Sequence, residues 1–307
     1  MINATNLRKR YGNIEALNGI SFTIREGELY GLLGPNGAGK STTINIISSL
    51  LEPDQGTVTI NGLDLNTNKD LCKRMIGVVP QEIALYDQLS AMDNLLFWGG
   101  LYEKKTSVLR KRIDETLHQF GLYERRKDKI KTYSGGMKRR INIASALRHQ
   151  PKILFMDEPT VGIDPQSRNN IFEVIEKLHR DGMTIIYTTH YMEEAQRLCD
   201  RIGIIDQGII VAQGTLDELR SASQMKESII LAFEKTEETA LKSLAAISAN
   251  AVISDHTITF PSENVKQDLS KLIFKCTELG LIPSHIEIEK VNLESIFLKL
   301  TGKQLRD

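Results

Sequence analysis

GPNGAGKST, residues 34–42, is the stretch on which the reading of this chain turns. It fits G-x-x-x-x-G-K-[ST], with Gly34, Gly39, Lys40 and Ser41 in the fixed places. Glycines permit a tight turn and leave room for backbone N–H groups to face a polyphosphate. Lys40 then reaches the β- and γ-phosphates, and the Ser41 hydroxyl is suited to Mg²⁺. Pro35, Asn36, Gly37, Ala38 and Thr42 complete the cradle. The apolar run 29–33 before the loop predicts a buried strand, and residues 41–50 after it a helix whose N-terminus favours anions.

Outward from the loop, residues 2–7 and 20–24 read as strands, as does TVTIN at 57–61. Residues 75–79 predict another strand, ending at Pro80. From about 90 to 150 the pattern turns helical. Ser90 is placed to cap a helix starting near Ala91. Leu109, Ile113, Leu117 and Phe120 share one face of a second helix, and 134–149 predicts a third. A strand at 153–156, a helix at 165–180, a β-branched strand at 184–189 and a helix at 191–199 follow. A hairpin at 201–213 then turns at Gln207–Gly208. Strand 153–156 runs into Asp157 and Glu158. A strand tip presents Asp157 to a metal near the loop and Glu158 to the γ-phosphate, where it orients or deprotonates a water.

The 307 residues suffice for one or two domains. Lys+Arg and Asp+Glu are both 39, a balance that argues against bulk electrostatic binding of nucleic acid. Cys72, Cys199 and Cys276 are scattered, with no C-x-x-C pair, which points away from a zinc site or disulfide framework and toward a reducing cytosol. The N-terminus lacks an apolar signal core, and no segment has the roughly 18 apolar residues of a membrane span. Any membrane role is expected to need another chain.

Tyr133-Ser134-Gly135-Gly136-Met137 resembles the signature of ATP-binding cassette (ABC) proteins, usually LSGGQ. With GPNGAGKST and ILFMDEPT it makes residues 1 to about 220 resemble the nucleotide-binding domain of an ABC transporter. The resemblance implies an α/β fold: a P-loop NTPase core of the ABC ATPase type with an inserted helical subdomain at about 82–150. It implies ATP and Mg²⁺ as cofactors. Residue by residue, Tyr11 matches the aromatic that stacks on adenine, and Gln81 the glutamine that contacts Mg²⁺ or water. Asp164 matches the aspartate at the dimer interface, and also suits a helix cap before Pro165. His190 matches the histidine at the γ-phosphate. Lys40, Glu158 and His190 are thus the expected catalytic group, with Ser41, Gln81 and Asp157 at the metal. Tyr133, Met137 and Ile163 depart from the commonest pattern without removing a phosphate ligand.

In this family the signature of one subunit closes on the ATP of another, so Ser134, Gly135 and Gly136 are expected to complete a second copy's site in an ATP-bound homodimer. A separate membrane permease is expected to dock on the helical region, holding the protein at the inner face of the cell membrane. Tyr86, Leu89, Leu95, Leu96, Phe97, Trp98 and Tyr102 concentrate there, and most of them read as helical core.

Residues 214–225 mark a boundary, dividing the chain into 1–222 and 223–307. Beyond it the first six predicted elements follow β-α-β-β-α-β, a small ferredoxin-like α+β domain. The ending NLESIFLKLTG resembles the appendage of drug-resistance exporter ATPases working with ABC-2-type permeases. Export of a drug, antibiotic or lipid is the expectation. An importer subunit and a non-transport ABC ATPase acting on ribosomes are the alternatives.

Overall fold

The computed structural model describes residues 2–234 and 238–302; the first position of the helix that the sequence pattern predicts over 237–247, and residues 303–307, lie outside them. The chain forms two compact units, divided between Leu216 and Asp217. The division falls ahead of the polar helix at the boundary rather than after it.

The first unit opens with β1 (Ile2–Tyr11) and β2 (Ile14–Ile24). This hairpin is longer than the apolar runs 2–7 and 20–24 suggest. Its outer half is mostly exposed and held largely by pairing: Lys9 faces Leu17, whose side chain alone there reaches the core, Tyr11 faces Ile14, and Lys9 Nζ donates to Asp54 at 2.7 Å. There follow β3 (Leu29–Leu33), α1 (Lys40–Ile47), β4 (Gln55–Ile60), β5 (Leu63–Asp64), α2 (Lys69–Met75) and β6 (Ile76–Val79). Helix α2 buries only Cys72, so it carries no apolar periodicity, and it takes Met75 out of the expected strand. Next come α3 (Ala91–Gly99), α4 (Thr106–Gln119), two single-turn 3₁₀ helices, and α5 (Gly135–Leu147). The unit is completed by β7 (Ile153–Asp157), α6 (Pro165–Arg180), β8 (Thr184–Thr189), α7 (Met192–Leu198), β9 (Arg201–Asp206) and β10 (Ile209–Gly214).

Six strands form the central sheet in the order β10-β9-β3-β8-β7-β6, parallel except for β10; a second, antiparallel sheet runs β2-β1-β4-β5. The central strands are buried on both faces, which is why they read as unbroken apolar runs. Alternate residues point to opposite cores. Leu154, Met156, Ile185 and Tyr187 join the core with α3 to α6, whereas Ile153, Phe155 and Ile186 join the core with α1 and the antiparallel sheet. Each such side chain, fully buried, contributes about 1.5–3 kcal/mol. Strands β3, β6, β7 and β8 end on one edge, at Gly34, Pro80, Glu158 and His190. Ligands of open parallel sheets bind outside this carboxyl edge.

The second unit begins in α8 (Leu216–Ser223) and contains β11 (Glu227–Ala232), α9 (Glu238–Ala245), β12 (Val252–Ser254), β13 (Thr257–Ser262), α10 (Val265–Glu278), β14 (His285–Glu289) and α11 (Leu293–Thr301). Its sheet is antiparallel, in the order β12-β13-β11-β14. The first and third strands are neighbours at the centre, as a β-α-β-β-α-β chain requires. Ile229, Leu231, Ile258 and Phe260 meet Leu241, Leu244 and Leu272 in its core. Asn292 and Ser295 form a reciprocal cap at the start of α11.

Candidate functional site

The loop between β3 and α1 is set by its glycines. Gly39, at the N-cap of α1, has φ 109°, and a Cβ there would lie 2.7 Å from the Ala16 carbonyl oxygen. Only glycine fits both demands. No side chain caps α1, in contrast to Ser90 on α3, Ser134 on α5 and Asp164 on α6. The first N–H groups of α1 therefore face the cleft, which is lined by Ala16, Asn36, Gly37, Gly39, Lys40, Ser41, Thr42, Gln81 and Glu158.

Lys40 and Glu158 form a pair on the wall of this cleft, 2.9 Å apart, with side chains only 4% and 6% exposed. Lys40 Nζ also donates to the Gly34 and Pro35 carbonyls at 2.7 and 3.0 Å. His190 Nδ1 lies 3.2 Å from Glu158 Oε2, off the line a hydrogen bond needs. Its ring leans on Tyr191, with centroids 4.2 Å apart. Lys40 from the first turn of α1 and His190 from the end of β8 thus converge on the carboxylate that follows β7.

The parallel register explains the meeting: Leu33 pairs with Thr189, and Asp157 with Thr188. Thr188 Oγ1 donates to Asp157 Oδ1 at 2.7 Å and accepts the Glu158 N–H at 3.0 Å. Glu158 takes φ 44°, a left-handed conformation uncommon for a side-chain-bearing residue. Asp157 and Glu158 are both buried.

Ser134, Gly135 and Gly136 do not line this cleft. Ser134 accepts the Met137 N–H at 3.3 Å and caps α5; it and Gly135 are exposed. Gly136 is packed so closely on α6 that a Cβ would lie 2.2 Å from that of Ser167. Asp164 accepts the Ser167 N–H at 2.9 Å, so the start of α5 and the capped start of α6 lie together. That hydrogen bond holds the exposed Asp164 carboxyl below its ordinary pKa. Tyr133, in place of leucine, is buried and donates its hydroxyl to the Arg125 carbonyl at 2.7 Å.

Gln81 is exposed at the cleft, and its backbone is anchored from α5. Arg139 donates to the Pro80 and Gln81 carbonyls at 2.7 and 2.5 Å. Asn142 accepts from the Ala84 N–H, and Asn94 from the Tyr86 N–H. Tyr11 stands exposed at the tip of the β1–β2 hairpin and does not line the cleft, although Ala16 of the same hairpin does.

The aromatic residues of the helical region differ from expectation. Only Leu95 of the seven is core; Tyr86, Leu89, Phe97 and Tyr102 are exposed, and Leu96 and Trp98 half-buried. Tyr86, Phe97 and Trp98 pack on one another at the surface, with centroids 5.1–6.0 Å apart. Helix α3 is apolar around most of its circumference, and α4 and α5 cover only one side of it.

Sequence reasoning missed Thr188, Arg139 and Glu194. A threonine in a β-branched run reads as strand filler. Arg139 and Glu194 sit in polar helical stretches that read as solvent-facing, yet both are buried. Among the described residues no cluster of three or more His, Cys, Asp or Glu side chains is arranged to hold a metal. Ser41, Gln81 and Asp157 offer oxygen donors, which suits Mg²⁺, an ion that keeps waters and substrate phosphate oxygens in its shell.

Residues 17–161 match the family described as "ABC transporter". Over 311 residues the chain is 47% identical to the linearmycin resistance ATP-binding protein LnrL of Bacillus subtilis, covering 100% of both chains. It is 39% identical over 309 residues to the doxorubicin resistance ATP-binding protein DrrA of Mycobacterium tuberculosis, covering 96% of this chain and 92% of that one. Among solved structures, an ATP-binding cassette dimer in a post-hydrolysis state, bound to ADP and Pi, is similar with TM-score 0.64 and 30% identity. The match covers 70% of this chain and 98% of that one.

Proposed function

The chain belongs to the ABC transporter family, as an ATP-binding protein, and from that premise we propose that it hydrolyses ATP to power export through a separate membrane permease. The observation that carries the proposal is the buried meeting of Lys40, Glu158 and His190 at the phosphate loop. The drug-resistance names of its relatives support export of a drug-like or antibiotic compound.

The chemistry follows from the side chains. Loop N–H groups and the open N-terminus of α1 bind the phosphates. The γ-phosphate is a stronger acceptor for the Lys40 ammonium than a loop carbonyl, so its arrival draws Lys40 away from Glu158. The freed carboxylate takes a proton from water as the water oxygen bonds to the γ-phosphorus. The bond from that phosphorus to the bridging oxygen breaks, and ADP and phosphate leave. His190 holds the far side of Glu158 and the γ-phosphate in register. Ser41, Asp157 and Gln81 would hold Mg²⁺, which when bound neutralises phosphate charge. Tyr11 stacks on the adenine.

Two copies act together. Ser134, Gly135 and Gly136 start a helix away from their own chain's cleft, so their N–H groups serve the ATP of a second copy, with Asp164 beside them. ATP binds the closed pair better than the open one, and hydrolysis releases it, which supplies the work. The exposed Tyr86, Phe97 and Tyr102, with the half-buried Trp98 among them, form the docking surface for the permease, which keeps the protein at the cytoplasmic face of the membrane. No helix among the described residues is long and apolar enough to cross a membrane. In this reading the first unit is the motor and the second an accessory domain.

The test is Glu158→Gln. It is expected to lower kcat by about 10²–10⁴ while ATP still binds. Turnover near the wild-type rate refutes the role of Glu158.

A further inference from the structure

Glu194 is a carboxylate in α7, only 2% exposed, and the proposed chemistry does not use it. Its Oε1 accepts the Thr160 hydroxyl at 2.7 Å. Its Oε2 accepts the hydroxyls of Tyr187 and Thr189, each at 2.8 Å. Its nearest cation, Arg168, is offset, with Nε 3.7 Å from Oε1 and no hydrogen bond. A charge so deeply buried is weak support for stability, since apolar residues of the same volume usually do as well or better. The donors suggest another use. Thr160 stands two residues after Glu158, and Thr189 immediately before His190.

We propose that Glu194 is a positioning residue for ATP hydrolysis: its carboxylate ties the Thr160 and Thr189 hydroxyls together and so fixes Glu158 against His190. Glu158 needs such a tie, because its left-handed backbone persists only where neighbours over-determine it. Thr188 holds it from the amide side, at 3.0 Å. Glu194 holds it from the other side through Thr160. The same carboxylate fixes the approach to His190, since Thr189 Oγ1 also accepts the Tyr191 N–H at 2.9 Å. Tyr187 stays a donor throughout: burial first, then the charge of Glu194, keep its hydroxyl protonated far above its ordinary pKa. Arg168, one turn after Asp164 on α6, brings its Nε to within 3.7 Å of the same carboxylate without bonding to it. Glu194 therefore joins the loop of the general base to the strand end that carries the γ-phosphate histidine.

The inference rests on the ATPase reading, and the experiment separates the two. Steady-state ATPase rates and equilibrium ATP binding are measured on the full-length chain and on Glu194→Ala, Glu194→Gln, Thr160→Val and Thr189→Val. Glu194→Ala is expected to lose about 100-fold in kcat, the scale of a small misplacement of reacting groups, with ATP affinity within about threefold of wild type. Glu194→Gln keeps an acceptor oxygen and a matching shape, and is expected to recover to within about tenfold of wild type. Each threonine variant removes one arm of the tie without a cavity and lowers kcat in the same direction. A wild-type chain without hydrolysis overturns the ATPase reading, and this inference with it. An active wild type with unchanged kcat in Glu194→Ala and in both threonine variants overturns the inference alone. So does loss of ATP affinity, thermal stability and kcat together with no recovery in Glu194→Gln, which marks a purely structural residue. Should Glu194→Ala not fold, the threonine variants decide.

Discussion

Thr188→Val removes one oxygen atom from the interior and tests how the acidic pair is held. The Thr188 hydroxyl, fully buried, donates to Asp157 Oδ1 at 2.7 Å and accepts the Glu158 N–H at 3.0 Å. Valine has the same shape and makes neither bond. The stranded Glu158 N–H costs about 1–3 kcal/mol, and the lost bond to a carboxylate about 1.5–3 kcal/mol. The extra methyl group returns about 0.8 kcal/mol. The expected net loss is about 2–5 kcal/mol, and Thr188→Ser, which keeps the hydroxyl, is expected to lose only about 1 kcal/mol. The chain has a single tryptophan, Trp98, which lies in the first unit. Its fluorescence in a urea titration therefore reports that unit alone. The midpoint shift, at constant slope, gives the free energy. Equal midpoints for the valine and serine variants would refute the reasoning, because the loss would then come from shape rather than from the hydroxyl. The valine variant is also expected to hydrolyse ATP more slowly, since Glu158 loses one of the two restraints on its backbone.

Lys40→Met, measured without nucleotide, is expected to destabilise the first unit by about 3–5 kcal/mol, because Glu158 is left as a buried charge. Lys40→Met combined with Glu158→Leu is expected to be more stable than Lys40→Met alone; strictly additive costs in the double-mutant cycle would show that the pair is not coupled. His149 supplies a pH dependence. Burial lowers its pKa below the ordinary 6.5, while Nε2 meets the Ile76 carbonyl at 2.8 Å and the buried Nδ1 has no partner. The unfolded chain therefore takes up a proton more readily than the folded one. Stability from this group is complete above 6.5 and drains as pH falls through 6.5 toward the lower folded value. Urea midpoints at about pH 8 and pH 5.5 should differ more in wild type than in His149→Gln, and an equal difference in both would exclude His149 as the source.

The local backbone conformations around the candidate site were legible from residue order alone. A glycine at 39, a proline at 165 after Asp164, and Ser90 and Ser134 ahead of helices each state a backbone conformation or a cap, and neighbours in sequence suffice to satisfy them. The buried strands were legible for a related reason: strands covered on both faces need apolar residues at every position. What only the tertiary structure decided is which distant groups meet. Lys40, Glu158 and His190 touch because β3, β8 and β7 are neighbours in a parallel sheet, a pairing between segments far apart in the chain. Burial is likewise a property of what the rest of the chain lays over a residue. Phe97 and Tyr86 in apolar surroundings proved exposed, and Glu194 in a polar helix proved enclosed by hydroxyls from another strand and another loop. Residue type states what a side chain prefers, whereas strand order and register determine what it is given.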